Sequence, residues 1–333
     1  MVRLPPAEKL SLVLRKNIRD EWDSKKPDYE KQLSELLGET WTIDINPNAI
    51  WPYHNDGYAK ESVGSCIKDY VEGVIWQIKY QAEKYPHLAE ELNTIASAHV
   101  LGMDVEDAEP KTFSYGSVGV QDGKLMMLFR PDALGSNISY AAQEDQLFPA
   151  LNAVPSDAPL SFLARHSIKT EYDAKIDAVQ KSIATQIAKP DIKLIPNFEA
   201  SFATLKTAAD AKGSEVRDDW EKQLGYLIEQ YFEGLDWQLK NIKIEEDDLI
   251  QEGFNEAVEN GELVFRLVDT LKYGSYGEVV IEDGSLYLQA SHSTREHHLT
   301  YSGPELTCVY TQALPSTFGS NVSYAAEKLV DQL

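Results

Sequence analysis

Apolar positions recur along this chain at two spacings, and each spacing occurs twice. Between Glu61 and Lys84, the residues Ile67, Tyr70, Val71, Val74 and Ile78 fall three or four apart, the period of one helix face. Ile228, Tyr231, Phe232, Leu235 and Leu239 repeat that stripe, apolar for apolar. Elsewhere the period is two. Phe113–Val120 and Lys124–Phe129 alternate on either side of Gln121-Asp122-Gly123, and Gly277–Ile281 and Ser285–Gln289 alternate around Glu282-Asp283-Gly284. An Asp-Gly pair between alternating runs predicts a tight hairpin, because both central residues of such a turn need positive φ.

The remaining pattern fills in around these segments. Residues 7–37 read as helical, divided by Pro27 and stopped at Gly38. Trp41–Ile45 alternates as a strand, with Ile192–Pro196 as its counterpart. Helices are expected at His87–Ala98 and Asp247–Asn260, strands at His99–Asp104 and Glu262–Asp269, and short helices starting near Ser139 and Ser323. The order α-β-α-α-β-β-β-α predicts class α+β, with an antiparallel sheet packed by helices.

Residue identities repeat as well. Asp69–Gln77 returns as Gln230–Gln238 and Tyr115–Gly123 as Tyr276–Gly284, both 161 positions on; Gly135–Ala142 returns as Gly319–Ala326, now 184 positions on. The chain is therefore expected to be a tandem duplication. Residues 1–150 form the first unit, residues 151–165, rich in proline, a linker, and residues 166–333 the second unit, with an insertion near 290–313. A length of 333 residues favours about two domains independently.

Composition narrows the partners. The net charge is −23, with 15 basic and 24 acidic side chains in residues 1–150 and 16 and 30 in the rest. Such a surface repels phosphate backbones, which argues against direct nucleic-acid binding; it suits a soluble protein in a crowded compartment, with solubility alone as the plain reading, or one that meets a basic partner. No apolar run reaches the roughly 18 residues of a membrane span, and the first residues do not resemble a signal peptide. The two cysteines, Cys66 and Cys308, do not occupy matching places, so the chain reads as reduced, intracellular and cytoplasmic. The sequons at Asn137 and Asn321 are expected to serve the fold.

Two places could carry chemistry. Glu72, Gly73, Trp76 and Gln77 match Glu233, Gly234, Trp237 and Gln238 and lie together on one helix face, off the apolar stripe. A mid-helix glycine costs about 1 kcal/mol relative to alanine, so keeping it in both stretches points to a close approach. One reading is helix packing, with the indole N–H reaching a buried acceptor. The other is a ligand or partner groove floored by glycine and walled by tryptophan, with Glu72 or Glu233 as its polar handle. The second place is the insertion, where His292, His297 and His298 surround Glu296. Imidazoles can bind zinc, but on an extended segment His292 and His298 share a face and His297 points away, so neither metal nor other cofactor is expected. The glycine-rich hairpins lack the lysine and following helix of a phosphate loop, and neither a serine–histidine–acid order nor a dinucleotide glycine pattern is present.

The expected function is a non-catalytic binding or interaction protein, such as an acidic inhibitor or immunity-type protein for a basic partner. The alternative is an enzyme or small-molecule binder with its pocket between the repeats, using Glu233, Trp237, His292, Glu296, His297 and His298. A third reading is a scaffold whose units mimic a dimer and offer exposed hairpin edges for pairing. No oligomeric state follows from the sequence.

Overall fold

Ser11 opens the first helix: its side chain accepts the Leu14 N–H at 3.3 Å and caps α1 (Leu12–Asn17). In this computed structural model, which describes residues 3–154, 159–212, 214, 216–272 and 277–291, the chain divides after Asp157 into two units.

In the first unit α1 runs into a π-helical turn at Ile18–Asp23, and α2 (Lys26–Leu37) follows with Pro27 in its first turn. Proline is tolerated there because the first N–H groups of a helix have no internal partner. Gly38, at φ +77°, ends α2 in the left-handed conformation. Next come β1 (Thr42–Asp44), α3 (Pro47–Ile50), α4 (Ala59–Lys84), α5 (Leu88–Ile95), β2 (Val100–Val105), β3 (Gly116–Gln121), β4 (Lys124–Phe129) and α6 (Glu144–Asn152). The apolar stripe of α4 is buried throughout, from Ile67 to Ile78.

The second unit contains α7 (Phe162–Ser167), a π-helical turn at Ile168–Tyr172, α8 (Ile176–Gln186), β5 (Lys193–Ile195), α9 (Phe198–Ala209), α10 (Trp220–Asn241), α11 (Asp248–Ala257), β6 (Glu262–Val268), β7 (Gly277–Glu282) and β8 (Ser285–Ser291). Ser161 caps α7 as Ser11 caps α1. The buried face of α10, including Ile228, Phe232, Leu235 and Leu239, forms a core with Leu263, Phe265 and Leu288 from the sheet.

Both sheets have four strands and the same arrangement, β1-β2-β4-β3 and β5-β6-β8-β7. Within each, the first three neighbours pair in parallel and only the hairpin is antiparallel. The class is α+β, but the sheets are mixed rather than antiparallel. The Asp-Gly turns are as predicted: Asp122 and Gly123 have φ of 51° and 73°, Asp283 and Gly284 of 48° and 75°. Those turns report one strand pair each. The parallel pairs arise through crossovers, β1 to β2 by way of α3–α5, which leave no local signature.

The expected linker is also shorter than its proline content suggested. Phe162 is fully buried and α7 packs on α10, so residues 161–165 belong to the second unit. The expected insertion, the helix near Ser323, Cys308 and the second sequon lie outside the described residues.

Candidate functional site

The quartet Glu72, Gly73, Trp76 and Gln77 divides between two roles. A Cβ on Gly73 would stand 3.4 Å from Ser139 Cα and 3.5 Å from the Ile138 carbonyl oxygen. Gln77 Nε2 donates to the Ser139 carbonyl at 2.9 Å. The turn at Ile138–Tyr140 therefore sits on this face of α4. Asn137 starts the turn in the left-handed conformation, at φ 48°, and the Gly135 N–H ties it to the Tyr70 hydroxyl at 3.2 Å. Asn137 of the first sequon thus serves the backbone of this turn.

Glu72 is a clasp between helices. It accepts a hydrogen bond from the Tyr29 hydroxyl of α2 at 2.5 Å, and Lys68 Nζ lies 3.8 Å away. Burial and the neighbouring Glu72 carboxylate raise the Tyr29 pKa, which keeps its phenol protonated and donating.

Trp76 is left open to solvent, 58% exposed. Its ring stacks on Tyr80, four residues on, with centroids 5.7 Å apart and planes 4° from parallel. Lys84 Nζ lies 5.6 Å from the Tyr80 ring centroid and pairs with Glu144 at 3.0 Å. An aromatic ladder results on the outer face of α4. The indole has not taken the buried acceptor that a packing role would have supplied.

On α10 part of this division recurs. Trp237 is 44% exposed, while Gln238 is buried. Glu233 is exposed and accepts from Gln230 Nε2 at 2.5 Å. Two acids near it are buried in the helix packing. Glu229, 1% exposed, lies 3.8 Å from Lys175, and Asp236 accepts from Gln186 Nε2 and Lys240 Nζ, each at 2.6 Å. Burial raises the Glu229 pKa, opposed by the bond from Gln230 and the charge of Lys175. Trp76 on α4 and Trp237 on α10 are thus both open to solvent. His292, Glu296, His297 and His298 lie outside the described residues, and among those described no three His, Cys, Asp or Glu side chains converge to hold a metal ion.

The units differ on one row of their sheets. In the first, Asp104, Leu128 and Ser117 stand opposite one another across three strands; in the second the row is Arg266, Gln289 and Glu278. Glu278 is 2% exposed and accepts the Lys272 N–H on both oxygens, at 3.1 and 3.0 Å. With the Gln289 amide set to donate to Glu278 (2.9 Å), its oxygen accepts from Arg266 Nε (2.7 Å). The Arg266 guanidinium lies 3.9 Å from the Tyr287 ring centroid and pairs with Glu282 at 2.7 Å. Every polar group named here is engaged with its neighbours, which makes the row a structural network.

Sequence reasoning missed a groove of about 830 Å³ in the first unit. One wall is the continuous stretch Ser117–Gly123 of β3 and its turn; the other is α6, through Gln146, Pro149 and Ala150, with Ala153 just past its end. The missing information was sheet order: only the order places β3 at an edge, and order is a non-local property.

No known family, characterised protein or solved structure matches this chain.

Proposed function

We propose that this chain is a non-catalytic binding protein made by tandem duplication of one α+β unit, and that it engages a basic protein partner through the outer faces of α4 and α10. The observation carrying this reading is the exposure of both Trp76 and Trp237 on helices whose opposite faces are buried. Large exposed aromatics are the side chains that most often anchor interfaces, since they bury much area for few rotatable bonds. The Trp76–Tyr80 stack is formed without a partner, which lowers the entropy lost on binding.

Charge supports the choice of partner. At a net charge of −23, encounter with a basic protein is accelerated and encounter with acidic ones is slowed. An inhibitor or immunity-type role in a reducing cytoplasm fits both features. Duplication is supported by the common strand order, by a π-helical turn after the first helix of each unit, and by the spacing of like elements. Leu12 of α1 and Phe162 of α7 are 150 positions apart, whereas Ala59 of α4 and Trp220 of α10 are 161 apart. The difference accumulates after β5, where α9 has 12 residues and α3 has 4.

The test is affinity capture from a lysate of the source cells with the wild-type chain and a W76A/W237A double variant, at low and moderate salt. The expected result is one or more basic proteins retained by the wild type, released by salt and lost from the double variant. Equal retention by both chains, or retention of acidic proteins alone, overturns the reading.

A further inference from the structure

We infer that the groove between β3 and α6 is a second recognition site, which takes an extended, lysine- or arginine-bearing segment of another protein as an added strand. It shares no residue with the tryptophan faces and stands independently of the reading above.

The backbone geometry of β3 carries the inference. The two-residue turn at Asp122-Gly123 makes Gln121 and Lys124 a hydrogen-bonded pair. Alternation along an antiparallel ladder then gives the bonds at Gly119 and Ser117 to β4. It also turns the N–H and C=O groups of Val118 and Val120 away from β4. The other end of the ladder agrees: the Phe129 carbonyl, opposite Gly116, accepts the Glu106 N–H on the β2 side instead. Among the described residues β3 has no strand on its outer side. The N–H groups of Val118 and Val120 and the Val120 carbonyl therefore face outward, while the Val118 carbonyl accepts from Ser117 Oγ at 3.3 Å; an open edge of this kind is what a peptide strand needs to add to a sheet.

Size and charge define the occupant. Five strand residues, Ser117–Gln121, line the wall before the turn at Asp122-Gly123, and at ~3.3 Å per residue they span roughly 17 Å, room for an extended segment of about five residues. Three carboxylates, Glu106, Asp122 and Asp145, belong to the lining and no lysine or arginine does. A basic segment is attracted there. A second copy of the chain pairing β3 to β3 would bring these carboxylates against their own likeness.

The test uses a fluorescent seven-residue peptide alternating lysine and valine, with anisotropy as the readout. Its glutamate–valine analogue and a copy N-methylated at alternate backbone nitrogens serve as comparisons. We expect the lysine peptide to bind, and the other two to bind at least 10-fold more weakly. Val120→Pro removes one outward donor and leaves the ladder to β4 intact, so it should weaken binding at least 10-fold with an unchanged circular dichroism spectrum. E106Q/D145N should weaken it about 5-fold, and W76A/W237A should leave it unchanged. If V120P fails to fold, the N-methylated peptide carries the same test from the ligand side. The inference is overturned by absence of binding, by equal binding of the lysine and glutamate peptides, by indifference to N-methylation, or by a concentration-dependent dimer that V120P abolishes.

Discussion

The backbone N–H of Gly225 in α10 donates to the Ser167 hydroxyl at the end of α7, 2.9 Å away. The first unit has the same joint, where the Gly64 N–H of α4 donates to Asn17 Oδ1 at 2.8 Å. A Cβ on Gly225 would stand 2.7 Å from Ile168 Cα, and one on Gly64 2.7 Å from Ile18 Cα. In each unit the glycine seats the long helix on the first residue of the π-helical turn.

G64A and G225A are therefore each expected to destabilise the chain by about 1–3 kcal/mol, since backbone cannot retreat from an added methyl as a flexible side chain can. Urea denaturation followed by circular dichroism measures this. Midpoints unchanged in both variants would show that the joint is not as tight as described.

Trp76→Ala and Trp237→Ala should have the opposite profile. Exposed positions contribute little to stability, so each variant should stay within about 1 kcal/mol of wild type even with the Trp76–Tyr80 stack removed. Thermal melts provide the check. A loss of 3 kcal/mol or more would mean that these indoles pack in solution.

Much of this was legible in the sequence, for local reasons. The stripe from Ile67 to Ile78 announced which face of α4 is buried, and Asp122-Gly123 and Asp283-Gly284 announced their hairpins. Local periodicity also placed Trp76 off the apolar stripe, but it could not say that Gly73 and Gln77 beside it receive the turn at Ser139. That turn is more than sixty residues away in the chain. The parallel pairing of β2 with β4 and the free edge of β3 were equally beyond reach, because strand order is settled by packing rather than by the strands' own residues.

Glu229 gives a pH dependence with a definite sign. Burial raises its pKa in the folded state, so its carboxyl favours folding when protonated. That contribution is complete below the ordinary carboxylate pKa of about 4.3 and is lost as the pH rises through the folded value. Relative to wild type, E229Q should gain stability across that rise and flatten the profile. Parallel profiles for the two chains would remove Glu229 from the account.

Cys66 should be inert. It is fully buried on α4, and burial pushes its thiol up to about 12. The linkage runs against folding only in strong alkali: the contribution is whole below the unfolded thiol pKa of about 8.5 and disappears as the pH climbs toward 12. In a C308S background at pH 8, a disulfide reagent should find no thiol until denaturant is added. One equivalent released at once from the folded chain would contradict this placement.

The most direct test of the binding reading is oxidative footprinting of the chain, alone and with its captured partner, read residue by residue by mass spectrometry. Alone, Trp76 and Trp237 should oxidise readily while the buried Trp22 and Trp41 resist. With the partner bound, the account predicts protection at Trp76, Tyr80 and Trp237. Oxidation of both exposed tryptophans at the same rate with and without the partner would contradict it.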